Sequence, residues 1–264
     1  MLNRILTFYT RYFALWVVAF GVVAWFMPGP FVLIKPGMNW FFALTMFGIG
    51  VALDLEDFKR IARNPGIVAV GTAAQFLIMP FGAFVIAKIM RLPDEIAVGL
   101  ILTGAAPGAM ASNVMSYIAK ADTAYSVSLT TVSTLLCPLL TPGLTLMLAG
   151  TRMDVSFFAM FLSVVQTVVL PLALGFLIKV KFAERIKPIL PVFPAISATF
   201  IIFICSMVIA LNRDYLASVT GIVLITCLIL NVYGMNMGYG VGVLFRMEQR
   251  RRRTLSIEIG MQNA

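Results

Sequence analysis

Glu258 is the one carboxylate in the chain that falls inside an apolar stretch; the other ten acidic residues sit at the ends of such stretches. It lies in Leu255-Ser-Ile-Glu-Ile-Gly-Met-Gln-Asn263, which follows the basic residues Arg246 and Arg250 to Arg253. A carboxylate at membrane depth costs about 2.5–3.5 kcal/mol even on the mild insertion scale, so it needs a partner. The chain has no His, and no Lys or Arg lies inside another apolar span. A bound cation is the partner that remains, and that points to transport.

Other oxygen-bearing side chains cluster along the sequence in the way such a cation requires. Ser112 and Asn113 are adjacent, Ser126, Thr130 and Ser133 follow an i, i+4, i+7 stripe of one helix face, and Gln75 sits in mid-span five residues before Pro80. Glu258 and Gln262 are i, i+4 neighbours if the helix holds between them. Hydroxyls, amides and carbonyls are ligands for hard cations, and soft ligands are absent from the set. The competing reading of Ser126 and Thr130 is that each hydroxyl bonds the i−4 carbonyl of its own helix. Enzymatic chemistry is excluded on the same residues. With no His and a single buried acid there is neither a metal-ligand set nor an aspartyl pair, and Ser-Lys chemistry has no buried Lys.

The elements that hold these residues are membrane spans. Hydrophobic residues make up 61% of the chain, charged residues 12%, and the mean hydropathy is +0.98. Soluble domains carry about 25% charged residues. The apolar runs predict eight complete spans, near 12–27, 38–53, 66–90, 94–119, 123–149, 154–178, 193–211 and 215–245, with a ninth starting at 252. With a cytoplasmic N-terminus, 15 of the 20 Lys and Arg fall inside, among them Arg4 and Arg11, so the charge asymmetry supports this count. The expected location is the inner membrane of a bacterial cell, and the basic pI of about 9.8 reflects topology, not nucleic-acid binding. The first run is read as a retained span. Cys137, Cys205 and Cys227 fall in apolar runs without disulfide or metal spacing. Ala264 falls about halfway through the ninth span, so the natural polypeptide is expected to continue beyond it.

Two spans are interrupted. The fourth contains Gly104-Ala-Ala-Pro-Gly-Ala-Met-Ala-Ser-Asn113, where Pro107 removes a donor and Gly108 permits unusual dihedrals; the ninth contains Gly260. Irregular backbone at membrane depth is tolerated where it lines a cavity or an ion site. The two broken spans are five apart, which predicts two five-span repeats, the second inverted. Gly234, Gly238 and Gly242 in the eighth span are read as a close-packing stripe, and the arginine cluster as a topology anchor next to lipid headgroups.

Ala111-Ser-Asn-Val-Met-Ser-Tyr117, Ser133-Thr-Leu-Leu-Cys-Pro-Leu-Leu-Thr-Pro142 and Ser256-Ile-Glu-Ile-Gly-Met-Gln-Asn263 resemble, in order and spacing, segments of the bile acid:sodium symporter family. The nearest resemblance is to bacterial homologues of the apical sodium-dependent bile acid transporter. It implies an all-α, ten-span inverted-repeat fold with crossing discontinuous helices, of which this chain covers about eight and a half spans. A panel domain would comprise residues 1–62 and 151–212, and a core domain residues 63–150 and 213–264. One sodium site would use Ser112, Asn113, Ser126, Thr130 and Glu258. A second would use Gln75, Glu258, Gln262 and the backbone carbonyls of Ile259 and Met261. Ala109, Met110 and Asn263 would meet an organic anion at the N-termini of the distal half-helices. The activity implied is sodium-coupled symport of a bile-acid-like anion or a small carboxylate such as pantoate, with two sodium ions as coupling ions and no cofactor. A sodium/proton antiporter of the same architecture is the alternative. That class uses a pair of intramembrane acids, and this chain offers one.

Overall fold

The structure, a computed structural model, describes residues 6, 8–10, 12–150, 152, 156–190 and 192–263. Arg4, Arg11 and Ala264, which entered the sequence reading, lie outside the described residues. The principal helices are α1 (Phe13–Phe26), α2 (Met38–Ala52), α3 (Leu55–Arg63), α4 (Pro65–Ile89), α5 (Asp94–Ala105), α6 (Ala111–Ile118), α7 (Thr123–Ala149), α8 (Phe157–Lys181), α9 (Val192–Leu211), α10 (Arg213–Leu244) and α11 (Gln249–Gly260). Among the described residues the only strand-like feature is one isolated bridge, between Gly108 and Gln262.

Each expected span corresponds to a helix or a helix pair, but not all are long. The five helices α4, α7, α8, α9 and α10 are individually long and apolar enough to cross a membrane. Helices α1 and α2 have 14 and 15 residues, and the fourth span is divided into α5 and α6. On α10, Leu224, Ile225, Leu228, Ile229 and Val232 are exposed, an apolar face that hydrocarbon accommodates and water does not. The chain is a multi-pass membrane protein.

Three details add to or depart from the sequence reading. Residues 55–63, which lie between the second and third expected spans, form the polar helix α3, with Glu56 and Asp57 in its first turn and Arg60 and Arg63 in its last. This polarity complements the helix dipole. Helix α8 carries a π-turn at Val165–Val169, just ahead of Pro171, which has no N–H to give to the ladder. Helix α11 starts at Gln249, so Arg250 to Arg253 belong to it and do not precede it.

The chain divides into two compact units. One comprises residues 1–55 and 164–220, the other residues 56–163 and 221–264. In the first unit, α2 packs against α9 and the second half of α8, and α1 packs against α9. The α2–α8 approach is close enough that a methyl group on Gly50 would collide with the carbonyl of Leu172. Ser197 donates to the carbonyl of Thr45 at 3.1 Å, joining α9 to α2. Lys179 closes the C-terminus of α2, donating to Leu53 O at 2.7 Å and to Asp54 Oδ1 at 2.5 Å.

In the second unit, α4 and α5 pack together, α7 packs on both, and α11 packs on α4, α6 and α7. Gly234 and Gly238 of α10 face α11 as the packing stripe requires. A Cβ at Gly234 would lie 3.0 Å from Ile259 O, and one at Gly238 would lie 2.5 Å from Leu255 O.

These two kinds of glycine environment give opposite expectations. Gly50→Ala forces α2 and α8 apart and costs about 1–3 kcal/mol, the usual range for overpacking. Gly99→Ala in α5 meets nothing within 4 Å and gains about 0.5–1 kcal/mol of helix propensity. Thermal melts of the detergent-purified variants check both signs.

Candidate functional site

The site begins at the two helix breaks. Helix α5 stops at Ala105 because Pro107 has no N–H and disfavours helical geometry in the residue before it; Ala106 is extended, with ψ 156°. Helix α11 stops at Gly260, and Met261 is extended. The two freed segments run antiparallel and hydrogen-bond to each other. Ala109 N donates to Met261 O at 3.0 Å, and Asn263 N donates to Pro107 O at 2.8 Å, on either side of the Gly108–Gln262 bridge.

Backbone groups released by the breaks find partners one by one, as burial demands. Thr141 donates to Ala105 O at 2.6 Å, Asn231 Nδ2 to Gly260 O at 2.7 Å, and Gly108 N to Ser133 Oγ at 3.3 Å. Gln75 Nε2 approaches Ala106 O at 3.5 Å. Gly108 was expected to supply unusual dihedrals, but no glycine among the described residues has a positive φ. Its lack of a side chain serves close approach instead, because a Cβ there would lie 2.7 Å from Glu258 Oε1.

Glu258 is 2% exposed and its carboxylate is held by hydroxyls from two other helices. Ser112 of α6 donates to Oε2 at 2.6 Å and Ser126 of α7 donates to the same oxygen at 2.7 Å. Thr130 of α7 donates to Oε1. Ser112 lies in the first turn of α6, so the carboxylate also meets the positive end of that helix. Asn113 joins the cluster through Oδ1, 3.4 Å from the Thr130 hydroxyl. The Thr130 hydroxyl is also 3.0 Å from Ser126 O of its own helix, so its single proton has both the intrahelical carbonyl and Glu258 within reach. Among the described residues, no Lys or Arg pairs with Glu258.

The remaining expected residues form a second group. Gln262 is not stacked one turn beyond Glu258, because the helix has ended at Gly260; its Oε1 accepts from Gln75 Nε2 at 2.7 Å and its Nε2 donates to Ile259 O at 3.1 Å. Gln75 is 3% exposed, and its Oε1 is a buried acceptor with no protein partner among the described residues. Met261 O takes the hydrogen bond from Ala109. Beyond the crossing, Ala109 is buried, Met110 half-buried and Asn263 exposed. The thioether of Met110 lies 3.8 Å from Asn113 Nδ2.

Several participants were not singled out from sequence. Ser116, fully buried, donates to Ser126 Oγ at 3.3 Å. Its i+4 spacing from Ser112 was the available signal. Asn231 and Thr141 cap the broken ends, and their sequence surroundings carry no signal of it.

A buried carboxylate ringed by hydroxyls where two broken helices cross is the arrangement the structure presents, and comparison with known proteins gives the family. Residues 40–219 match the sodium bile acid symporter family, and the chain belongs to it. Among its relatives, the uncharacterized sodium-dependent transporter YocS of Bacillus subtilis is 37% identical over 100% of this chain and 82% of that protein. The chloroplastic protein named probable sodium/metabolite cotransporter BASS1 of Arabidopsis thaliana is 34% identical over 96% of this chain, and the one named probable sodium/metabolite cotransporter BASS2 of Oryza sativa is 32% identical over 99%. The chain spans 63% of the length of each of these two plant proteins.

Removing the amide of Asn231 tests the capping of the break. Asn231→Leu leaves Gly260 O without its donor and lowers stability by about 1–3 kcal/mol, the range for an orphaned buried polar group. A melting temperature equal to that of the native protein contradicts this assignment.

Proposed function

We propose that the protein is a secondary active transporter that couples inward sodium movement to uptake of an organic anion by alternating access. The observation that carries this reading is the Glu258 carboxylate, enclosed in the apolar interior of its unit with hydroxyl partners and, among the described residues, no basic one. The hydroxyls that donate to it also carry lone pairs. Rotation of Ser112, Ser126 and Thr130 about their C–O bonds turns those lone pairs inward, and with the carboxylate and Asn113 Oδ1 they make an oxygen shell for one sodium ion.

A second sodium ion is assigned to Gln75, Gln262, the carbonyls of Ile259 and Met261, and the Glu258 charge. The orphaned Oε1 of Gln75 fits this donor set, since it is a buried acceptor awaiting a positive partner. Ala109, Met110 and Asn263 then meet the anion beside the crossing, where the backbone of the α6 N-terminus favours a carboxylate or sulfate.

In this reading the chain follows the ten-span inverted repeat, with the unit carrying the crossing as core and the other as panel, in an inner membrane with the N-terminus cytoplasmic. Two sodium ions with one monoanion carry one net positive charge inward, which adds about 2.3 kcal/mol of drive per cycle at 100 mV. A small carboxylate of the pantoate type is the preferred substrate class, with bile-acid-like anions next.

Glu258→Gln keeps the shape and removes the charge. Uptake driven by a sodium gradient into proteoliposomes, measured across a panel of carboxylates that includes pantoate and taurocholate, is expected to fall to background. Sodium chloride is expected to lose its ability to raise the melting temperature above that in potassium chloride. Sodium-dependent uptake that survives this substitution sinks the assignment, and proton efflux coupled to sodium entry favours an antiporter.

A further inference from the structure

One turn away from the Glu258 cluster, α7 and α11 are joined a second time. The backbone N–H of Asp122, the N-cap of α7, donates to Thr254 Oγ1 at 2.9 Å, and the Thr254 hydroxyl lies 3.1 Å from Asp122 O. Arg251 Nε donates to Asp122 Oδ2 at 3.3 Å, while Asp122 Oδ1 accepts from Tyr125 N at 3.0 Å. Thr254 is fully buried. A single side chain thus caps α7, and its residue is bound to α11 by main chain and carboxylate together.

The spacing makes this more than a local contact. Thr254 and Glu258 are four residues apart on α11; Asp122, Ser126 and Thr130 are spaced by four on α7. Four residues rise about 6 Å in a helix, so the two levels of contact have the same spacing on both helices. The helices run in the same direction and are fixed in one register. A slip of one residue, about 1.5 Å along either axis, carries the Glu258 oxygens away from the Ser126 and Thr130 hydroxyls.

We propose that Asp122, Thr254 and Arg251 are positioning residues that set the register of α11 on α7 and so hold Glu258 at the distance its oxygen shell requires. They touch none of the assigned ligand atoms and act through the placement of that carboxylate. This inference rests on the reading of Glu258 as a sodium ligand.

The test is a calorimetric titration of the full chain with sodium chloride below its melting temperature, at constant ionic strength with potassium chloride. Thr254→Val removes the hydroxyl at nearly constant shape. It is expected to raise the sodium concentration for half-saturation about five-fold, the effect of one net hydrogen bond, and Thr254→Ser is expected to restore the native midpoint. Arg251→Gln, at the partly exposed edge of the cluster, is expected to shift the midpoint in the same direction if Thr254→Val does not fold. An unchanged midpoint in a folded variant overturns the proposal even where the melting temperature in potassium falls, since packing loss alone produces that. A raised midpoint that serine does not restore overturns it too. Loss of all sodium response in Glu258→Gln with a native midpoint in Thr254→Val rejects the positioning role alone; a native response in Glu258→Gln rejects the sodium reading beneath it.

Discussion

A polypeptide that breaks two helices inside an apolar interior must supply partners for every backbone group it frees. In this protein the two breaks do so for each other: the extended segments around Gly108 and Gln262 cross antiparallel and exchange main-chain hydrogen bonds. What they leave over is taken by Ser133 and Thr141 of α7, Asn231 of α10 and Gln75 of α4. The crossing therefore exists only when α4, α7, α10 and α11 are all in place. This requirement ties the second unit together more specifically than apolar packing does, since an unpaired carbonyl in hydrocarbon has no water to fall back on.

The crossing in turn determines what Glu258 can reach. It brings the carboxylate against the first turn of α6 and the hydroxyl face of α7, and the missing Cβ of Gly108 makes room for it. Hydroxyls are apt partners for such a group. They satisfy a carboxylate as donors, and rotation about one C–O bond turns an acceptor lone pair of the same group toward the same space instead. A Lys or Arg in their place would neutralise the carboxylate permanently and compete with any cation. Membership of the sodium bile acid symporter family agrees with this chemistry, and the oxygen-only donor set gives a physical reason why an alkali cation, and not a transition metal, is the ion to consider.

Glycine serves this architecture through distance. The breaks were expected to exploit its freedom at positive φ, but in the described residues positive φ belongs to Arg91, Lys120 and Arg246, each just past a helix C-terminus. The glycines at the crossing and along α10 lie where helix surfaces, or a carboxylate and a backbone, approach within the space of a methyl group. The Gly234–Gly238 stripe seats α11, which carries the one buried acid among the described residues, close against α10.

Composition and one-dimensional spacing determined a good deal. The apolar runs placed the spans, because hydrocarbon thickness sets their length. Pro107 marked the first break through its missing N–H. Glu258 stood out because burying charge is costly wherever it occurs, and the i, i+4 hydroxyls of α7 declared a face. These are local properties, readable from neighbours within a turn or two. Only the tertiary structure decided which oxygens meet: the hydroxyl partners of Glu258 lie 128 to 146 residues away in sequence. It turned Gln262 toward Gln75 by ending α11 at Gly260, gave Asn231 a carbonyl to cap, and aligned Asp122 with Thr254. Such pairings depend on how helices cross and where each one stops, and side-chain periodicity contains neither.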